Sequence, residues 1–204
     1  RMLATSQQMS FANMLRGVEI GADGVVRSSL LDLLSPYALL GGAATTALFV
    51  LHGALFLGLK TGGPVRARAR AAARRSAFVA VPVVAGFLAW TVRDQGSGAV
   101  AASVAVLALL AAAAAAARRR EGWAFASTAA AVVAVAVVVF GALYPGLLPS
   151  LVDPAFGLTV ANAASAPYTV GVLSVIGAVF LPLVVLYQSW SYWVFRRRVL
   201  PEHV

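Results

Sequence analysis

Residues 144–198 read YPGLLPSLVDPAFGLTVANAASAPYTVGVLSVIGAVFLPLVVLYQSWSYWVFRRR. The stretch has three parts. Tyr144 to Pro167 carries four prolines, two glycines and small polar residues, the composition of a loop. Tyr168 to Phe195 is one apolar run with a single internal proline, Pro182. As a helix of 28 residues it measures about 42 Å at a rise of ~1.5 Å per residue. That exceeds a hydrocarbon core of roughly 30 Å, so the helix tilts or protrudes. Pro182 predicts a kink, and Gly171 and Gly177 thin the helix enough for another helix to approach closely. The run closes on aromatics and then Arg196, Arg197 and Arg198, the pattern of a membrane span stopped at the cytoplasmic surface.

The whole chain supports a membrane reading. Of its 204 residues, 61% are hydrophobic and only 11% charged, with a mean hydropathy of +0.87. Soluble domains carry roughly a quarter charged residues, and a water-soluble core of this length has no room for so much apolar surface. An all-α integral membrane protein of about five transmembrane helices follows. With no cysteine there is neither a disulfide framework nor a thiolate metal site. The formal charge of +9 does not indicate nucleic acid, because the arginines sit at the ends of apolar runs, as topology signals do. The abundance of Arg over Lys, with Ala and Val filling the spans, suggests a high-GC bacterial genome. The chain opens on Arg1, without an initiator methionine or a charged-then-apolar leader, and reads as a fragment or as a product missing its front half.

Residues 1–35 mix Met2, Met9, Phe11, Met14 and Leu15 with polar residues, and read as an external interfacial segment and loop. A four-helix transmembrane bundle is expected over 36–143. Its first span is Pro36 to Leu59, with Ser35 as N-cap, Pro36 at the first helical position and Lys60 at the end. A basic loop, KTGGPVRARARAAARR, covers 60–75. The second span, Ala77 to Val92, is short and interrupted by Pro82; Gln95 to Gly98 is a tight polar turn. Ala99 to Ala117 and Gly122 to Leu143 are the third and fourth spans, joined by Arg118, Arg119 and Arg120. An external loop follows over 144–167, then the final helix and a cytoplasmic tail over 168–204.

Twelve of the sixteen basic residues fall on one side of this map: six in 60–75 and the triplets 118–120 and 196–198. Apart from Arg1 at the start of the chain, the other side has Arg16, Arg27 and Arg93, with Glu19, Asp23, Asp32, Asp94 and Asp153. The basic side is therefore cytoplasmic, and the expected placement is multi-pass in a bacterial cytoplasmic membrane with the C-terminus in the cytoplasm.

Little in the spans carries chemistry. His52 is the only histidine in a span; the methionines precede the first span and His203 is in the tail. A haem takes axial ligands such as His, Met or Cys, and no intramembrane pair of them exists here. A single ligand role for His52 is weaker than an interhelical hydrogen bond, because a polar group in a membrane needs a partner. No Asp or Glu lies within the expected spans, which argues against a main proton path. Near the end of the last helix, Tyr187, Trp190, Ser191 and Val194 share one face, and Gln188 and Tyr192 the next. Tyr187, Gln188, Trp190 and Tyr192 are candidates for a subunit contact or a lipid or quinone pocket. The competing reading is an aromatic belt at headgroup level, strongest for Trp193. For Gln188 a buried hydrogen bond is expected. Asn162 or Ser165 is expected to cap the last helix. No catalytic or metal-ligating residue is assigned.

Three blocks, YPGLLPS, LTVANAASAPYTV and LPLVVLYQSWSYWVFRRR, resemble in order and spacing the C-terminal signature of subunit II of the bacterial cytochrome bd-type quinol oxidase. SPYALLGG (35–42) and HGALFLGLKTGGPVRARAR (52–70) resemble the middle of the same family, and the likeness is weakest at 97–117. The resemblance implies two four-helix bundles plus one extra helix, of which this chain supplies the second bundle and the extra helix. It implies a haem-free subunit paired with a subunit I that carries b-type haems, haem d and the quinol site. Such a complex oxidises quinol, reduces dioxygen to water and takes protons from the cytoplasm. Contacts with membrane lipid and quinol are implied; a bound quinone and a small accessory subunit are left open. The family's acidic motifs lie in its N-terminal half, so their role passes to no residue here. Two other readings compete: a small transporter or channel, on the strength of two proline-interrupted spans, and an assembly factor with no ligand.

Overall fold

The computed structural model of the chain describes residues 15–17, 19, 34–164 and 166–194. Among these described residues are five helices long and apolar enough to cross a membrane: α1 (Pro36–Lys60), α2 (Gly63–Gln95), α3 (Ala99–Ala117), α4 (Glu121–Leu143) and, after the four-residue α5 (Val160–Ala163), α6 (Pro167–Val194). Helix α1 starts where its cap predicts: Ser35 Oγ accepts from the amide of Ala38 at 3.2 Å, Pro36 is the first helical residue, and Lys60 is the last.

The second helix departs from expectation. Residues 63–75 are not a loop; they form the first turns of α2, which runs for 33 residues and passes through Pro82 without ending. The arginines there alternate with alanines, and both residue types have high helix propensity. The start signal is Gly62 as N-cap with Pro64 in the first turn. At a rise of ~1.5 Å per residue, α2 is about 50 Å long, so it extends well past a bilayer core at its arginine end. It stops at Gly96, which adopts the left-handed conformation (φ +66) and lets the chain reverse into α3 through Gly98 (φ +81).

Helices α1 to α4 pack in a ring, α1 on α2, α2 on α3, α3 on α4 and α4 back on α1. The buried faces of α3 and α4 are rich in small residues. Ala102, Ala105, Leu109 and Ala112 of α3 are buried, as are Ala124, Thr128, Ala131 and Ala134 of α4. In lipid, apolar burial gives no drive for helices to pair, and close backbone approach over such residues supplies dispersion contacts instead. Leu51, Leu88, Leu109 and Val138 fill the larger spaces of the core.

The connection 144–167 is more ordered than a plain loop. Strand β1 (Gly146–Leu148) pairs antiparallel with β2 (Leu158–Thr159), a 3-10 turn covers Pro154–Phe156, and α5 follows. Asn162 caps α5 rather than the final helix. Its Oδ1 accepts from the Thr159 amide at 2.7 Å, its own amide donates to Thr159 Oγ1 at 3.2 Å, and its Nδ2 donates to the Gly157 carbonyl. Gly17 (φ +89) reaches this region from the N-terminal side: a Cβ there would lie 2.8 Å from the carbonyl oxygen of Pro149. Helix α6 then begins at Pro167 and continues through Pro182 to Val194, with no buried residue. Most of 1–33, including Asp32, lies outside the described residues, as do Ser165 as a cap and the triplet Arg196–Arg198.

Candidate functional site

Three polar links hold α1, α2 and α4 together at different depths. At the end where α2 meets α3, the Tyr37 hydroxyl lies 2.8 Å from Thr91 Oγ1. The single proton of Thr91 goes to the Phe87 carbonyl, also at 2.8 Å, so Tyr37 is the donor. Phe87 and Trp90 flank the Tyr37 ring at centroid distances of 5.3 and 5.7 Å. Trp90 Nε1 donates to Asp94 Oδ2 at 2.7 Å, which anchors the indole at the helix end.

Deeper in the bundle the arrangement repeats. His52 Nδ1 of α1 lies 2.8 Å from Thr128 Oγ1 of α4, and Thr128 donates its own proton to the Phe125 carbonyl at 2.9 Å. Nδ1 is therefore the protonated nitrogen of the imidazole. Phe125 stacks on the ring, centroids 4.5 Å apart and planes 26° from parallel. The interhelical hydrogen bond expected for His52 is present. Donation from Nδ1 leaves the Nε2 lone pair unused by Thr128, but Phe125 covers one ring face and the described residues hold no second His, Met or Cys to complete an axial haem pair.

The third link is at the basic end. Glu121, the first residue of α4, is only 7% exposed and takes guanidinium contacts from both Arg66 and Arg70 of α2. Arg66 and Arg70 stand one turn apart on one helix face, so a single carboxylate reaches both. This clamp crosses the ring diagonally. The expected fourth span begins at Gly122, one residue after Glu121, and the arginines fall in an expected loop; the clamp is hidden by those two boundaries. The signal available was Glu121 itself, an acid among arginines.

Helix α6 is the counterpart of this linked bundle. Tyr187, Trp190 and Tyr192 are 63, 61 and 67% exposed. The rings of Tyr187 and Trp190 lie near each other, 6.3 Å apart. Gln188 is exposed, and its side chain meets no hydrogen-bond partner among the described residues. The expected burial of its amide is thus not provided by this chain's own described helices. Gly171 and Gly177 open onto empty space.

The sequence matches the family model for cytochrome bd terminal oxidase subunit II over residues 2–195. The chain belongs to that family. It is 35% identical over 196 residues to cytochrome bd ubiquinol oxidase subunit 2 of Bacillus subtilis, covering 93% of this chain and 58% of the relative. It is 24% identical over 236 residues to cytochrome bd-I ubiquinol oxidase subunit 2 of Escherichia coli K12, covering 96% and 62%. The fold is similar to a chain in the structure of bd oxidase from Geobacillus thermodenitrificans, with a TM-score of 0.70 and 19% identity over 96% of this chain and 62% of that one. The chain thus spans about three-fifths of the length of the relatives it matches. Family and helices together make it a multi-pass membrane protein, and family membership favours an oxidase subunit over the transporter or channel reading.

Proposed function

We propose that this chain is part of the haem-free membrane subunit of a quinol:oxygen oxidoreductase, and that α6 is the surface on which subunit I is seated. In this reading b-type haems and haem d reside in subunit I, where electrons from quinol reduce dioxygen to water. The chain's own residues build a scaffold; none of them is assigned a chemical step. The observation that carries the proposal is the contrast between α6 and the ring. Three polar links tie α1, α2 and α4 of the ring together, whereas α6 is a 28-residue apolar helix with no buried residue. Its aromatic end, with Tyr187, Gln188, Trp190 and Tyr192, supplies hydrogen-bonding groups that lipid tails leave unsatisfied. A partner helix satisfies them, and a bound quinone or lipid headgroup is the second occupant this chemistry admits.

The basic end, with Lys60, the α2 arginines and Arg118–Arg120, faces the cytoplasm, and the C-terminus lies on the same side. Full-length protein carrying an affinity tag on this chain, purified in mild detergent from native membranes, tests the function. The expected result is a second membrane polypeptide and reduced-minus-oxidised haem bands in the purified sample. Recovery of the intact tagged chain without haem and without a second polypeptide would refute the proposal.

A further inference from the structure

Between α2 and α3, at the basic end of the bundle, lies an apolar groove of about 540 Å³. Its α2 wall is Arg74, Phe78, Val81 and Pro82, residues that recur on one face; its α3 wall includes Ala113 and Ala116. Arg74 to Pro82 covers about 12 Å along the helix, close to the depth of one leaflet of a ~30 Å core. The groove exists because α3 carries only methyl groups here, and because Phe78 projects outward, 85% exposed. At its mouth the charge is of one sign. Arg74 lines the groove, and its side chain has no hydrogen-bond or ion-pair partner among the described residues. Arg75 adjoins it on α2, and α3 runs directly into Arg118, Arg119 and Arg120. The nearby acid, Glu121, is already held by Arg66 and Arg70.

We infer that this groove is a binding site for one anionic phospholipid, with an acyl chain against Phe78, Val81 and the α3 alanines and the phosphate on Arg74. The argument is charge complementarity. An apolar slot one leaflet deep fits any lipid tail, but an uncompensated guanidinium at its mouth selects a headgroup with net negative charge. Guanidinium also matches phosphate geometry with paired N–H donors. A zwitterionic headgroup brings its own ammonium to the same arginines and is disfavoured.

The test uses the intact complex reconstituted in vesicles of equal phosphatidylglycerol and phosphatidylcholine, re-extracted in mild detergent and read by native mass spectrometry. Wild type is expected to retain one phosphatidylglycerol in preference to phosphatidylcholine. Arg74→Gln should lower that preference about fivefold, the equivalent of one basic contact at a membrane surface, and Arg74→Lys should keep most of it. Ala116→Leu fills the slot and should remove the retained lipid while leaving the assembled complex intact. Equal retention of the two lipids by wild type would overturn the inference. So would a preference that survives both Arg74→Gln and Ala116→Leu, or a retained quinone in place of phospholipid that Ala116→Leu displaces.

Discussion

Replacing Glu121 by Gln tests whether the basic end of the bundle is clamped or merely decorated with charge. The substitution keeps size and one carbonyl acceptor, but it removes the charge and turns an NH2 group toward two guanidinium groups. Glu121 is 7% exposed, whereas the Arg66 and Arg70 side chains are 25% and 32% exposed. Removing one partner of a fully buried ion pair costs about 3–5 kcal/mol, and an exposed pair is worth at most ~1 kcal/mol. The arginines here can turn partly to water or to lipid phosphate, so the cost falls between, at about 2 kcal/mol. With the slope of a 150–250-residue domain, that is a fall of roughly 4–8 °C in Tm. The assay is heating of the detergent-solubilised complex followed by size-exclusion of the tagged chain. In a cycle with Arg66→Gln, the double variant should lose less than the sum of the single losses, by about 1 kcal/mol. A Glu121→Gln protein that melts with wild type, or strictly additive losses, would refute the clamp.

His52→Ala removes one interhelical hydrogen bond and a stacked ring, so it should cost about 1–2 kcal/mol in the same thermal assay while leaving every haem band of the complex in place; selective loss of one band would show that His52 is a ligand after all. Thr128→Val removes both the acceptor for His52 and the donor to the Phe125 carbonyl and should cost about 1 kcal/mol, and wild-type stability would show that the link contributes nothing. Ala105→Leu, at a fully buried position of the α3–α4 seam, should destabilise by about 1–3 kcal/mol through overpacking, and a neutral result would mean that the seam is loose. A reporter fused after Val204 should be cytoplasmic and a label at Gly157 should be reached from outside; labelling of both positions from one side would break the topology.

The spans were legible because a bilayer leaves few options for a long apolar run: α1, α3 and the end of α2 lie where hydropathy and caps place them. What escaped was of two kinds. The first turns of α2 resemble a loop because their charges are dense, although Ala and Arg both favour helix and the Gly62–Pro64 start signal precedes them. The pairing of polar residues was not readable at all. His52 needs a partner, but nothing local selects Thr128, which lies 76 positions away; nor does anything local join Tyr37 to Thr91 or Arg70 to Glu121. Those matches come from helix order around the ring. Sequence alone offers Asn162 or Ser165 as the cap of the long helix, whereas the backbone forms a separate turn first and Asn162 completes its capping box with Thr159. For α6, sequence placed the aromatic and amide groups on adjoining faces, and the structure leaves both faces uncovered.

The most direct test of the central claim is the ratio of haem to tagged chain after purification of the full-length complex carrying Gln188→Leu together with Trp190→Ala. Both side chains are exposed on α6 in the isolated chain, so the substitutions leave the bundle's own packing untouched, and the protein should insert in the membrane at wild-type levels. If α6 seats subunit I, recovery of that subunit and its haems should fall severalfold in mild detergent. A wild-type haem ratio with unchanged quinol oxidase turnover would place these side chains against lipid and contradict the role given to α6.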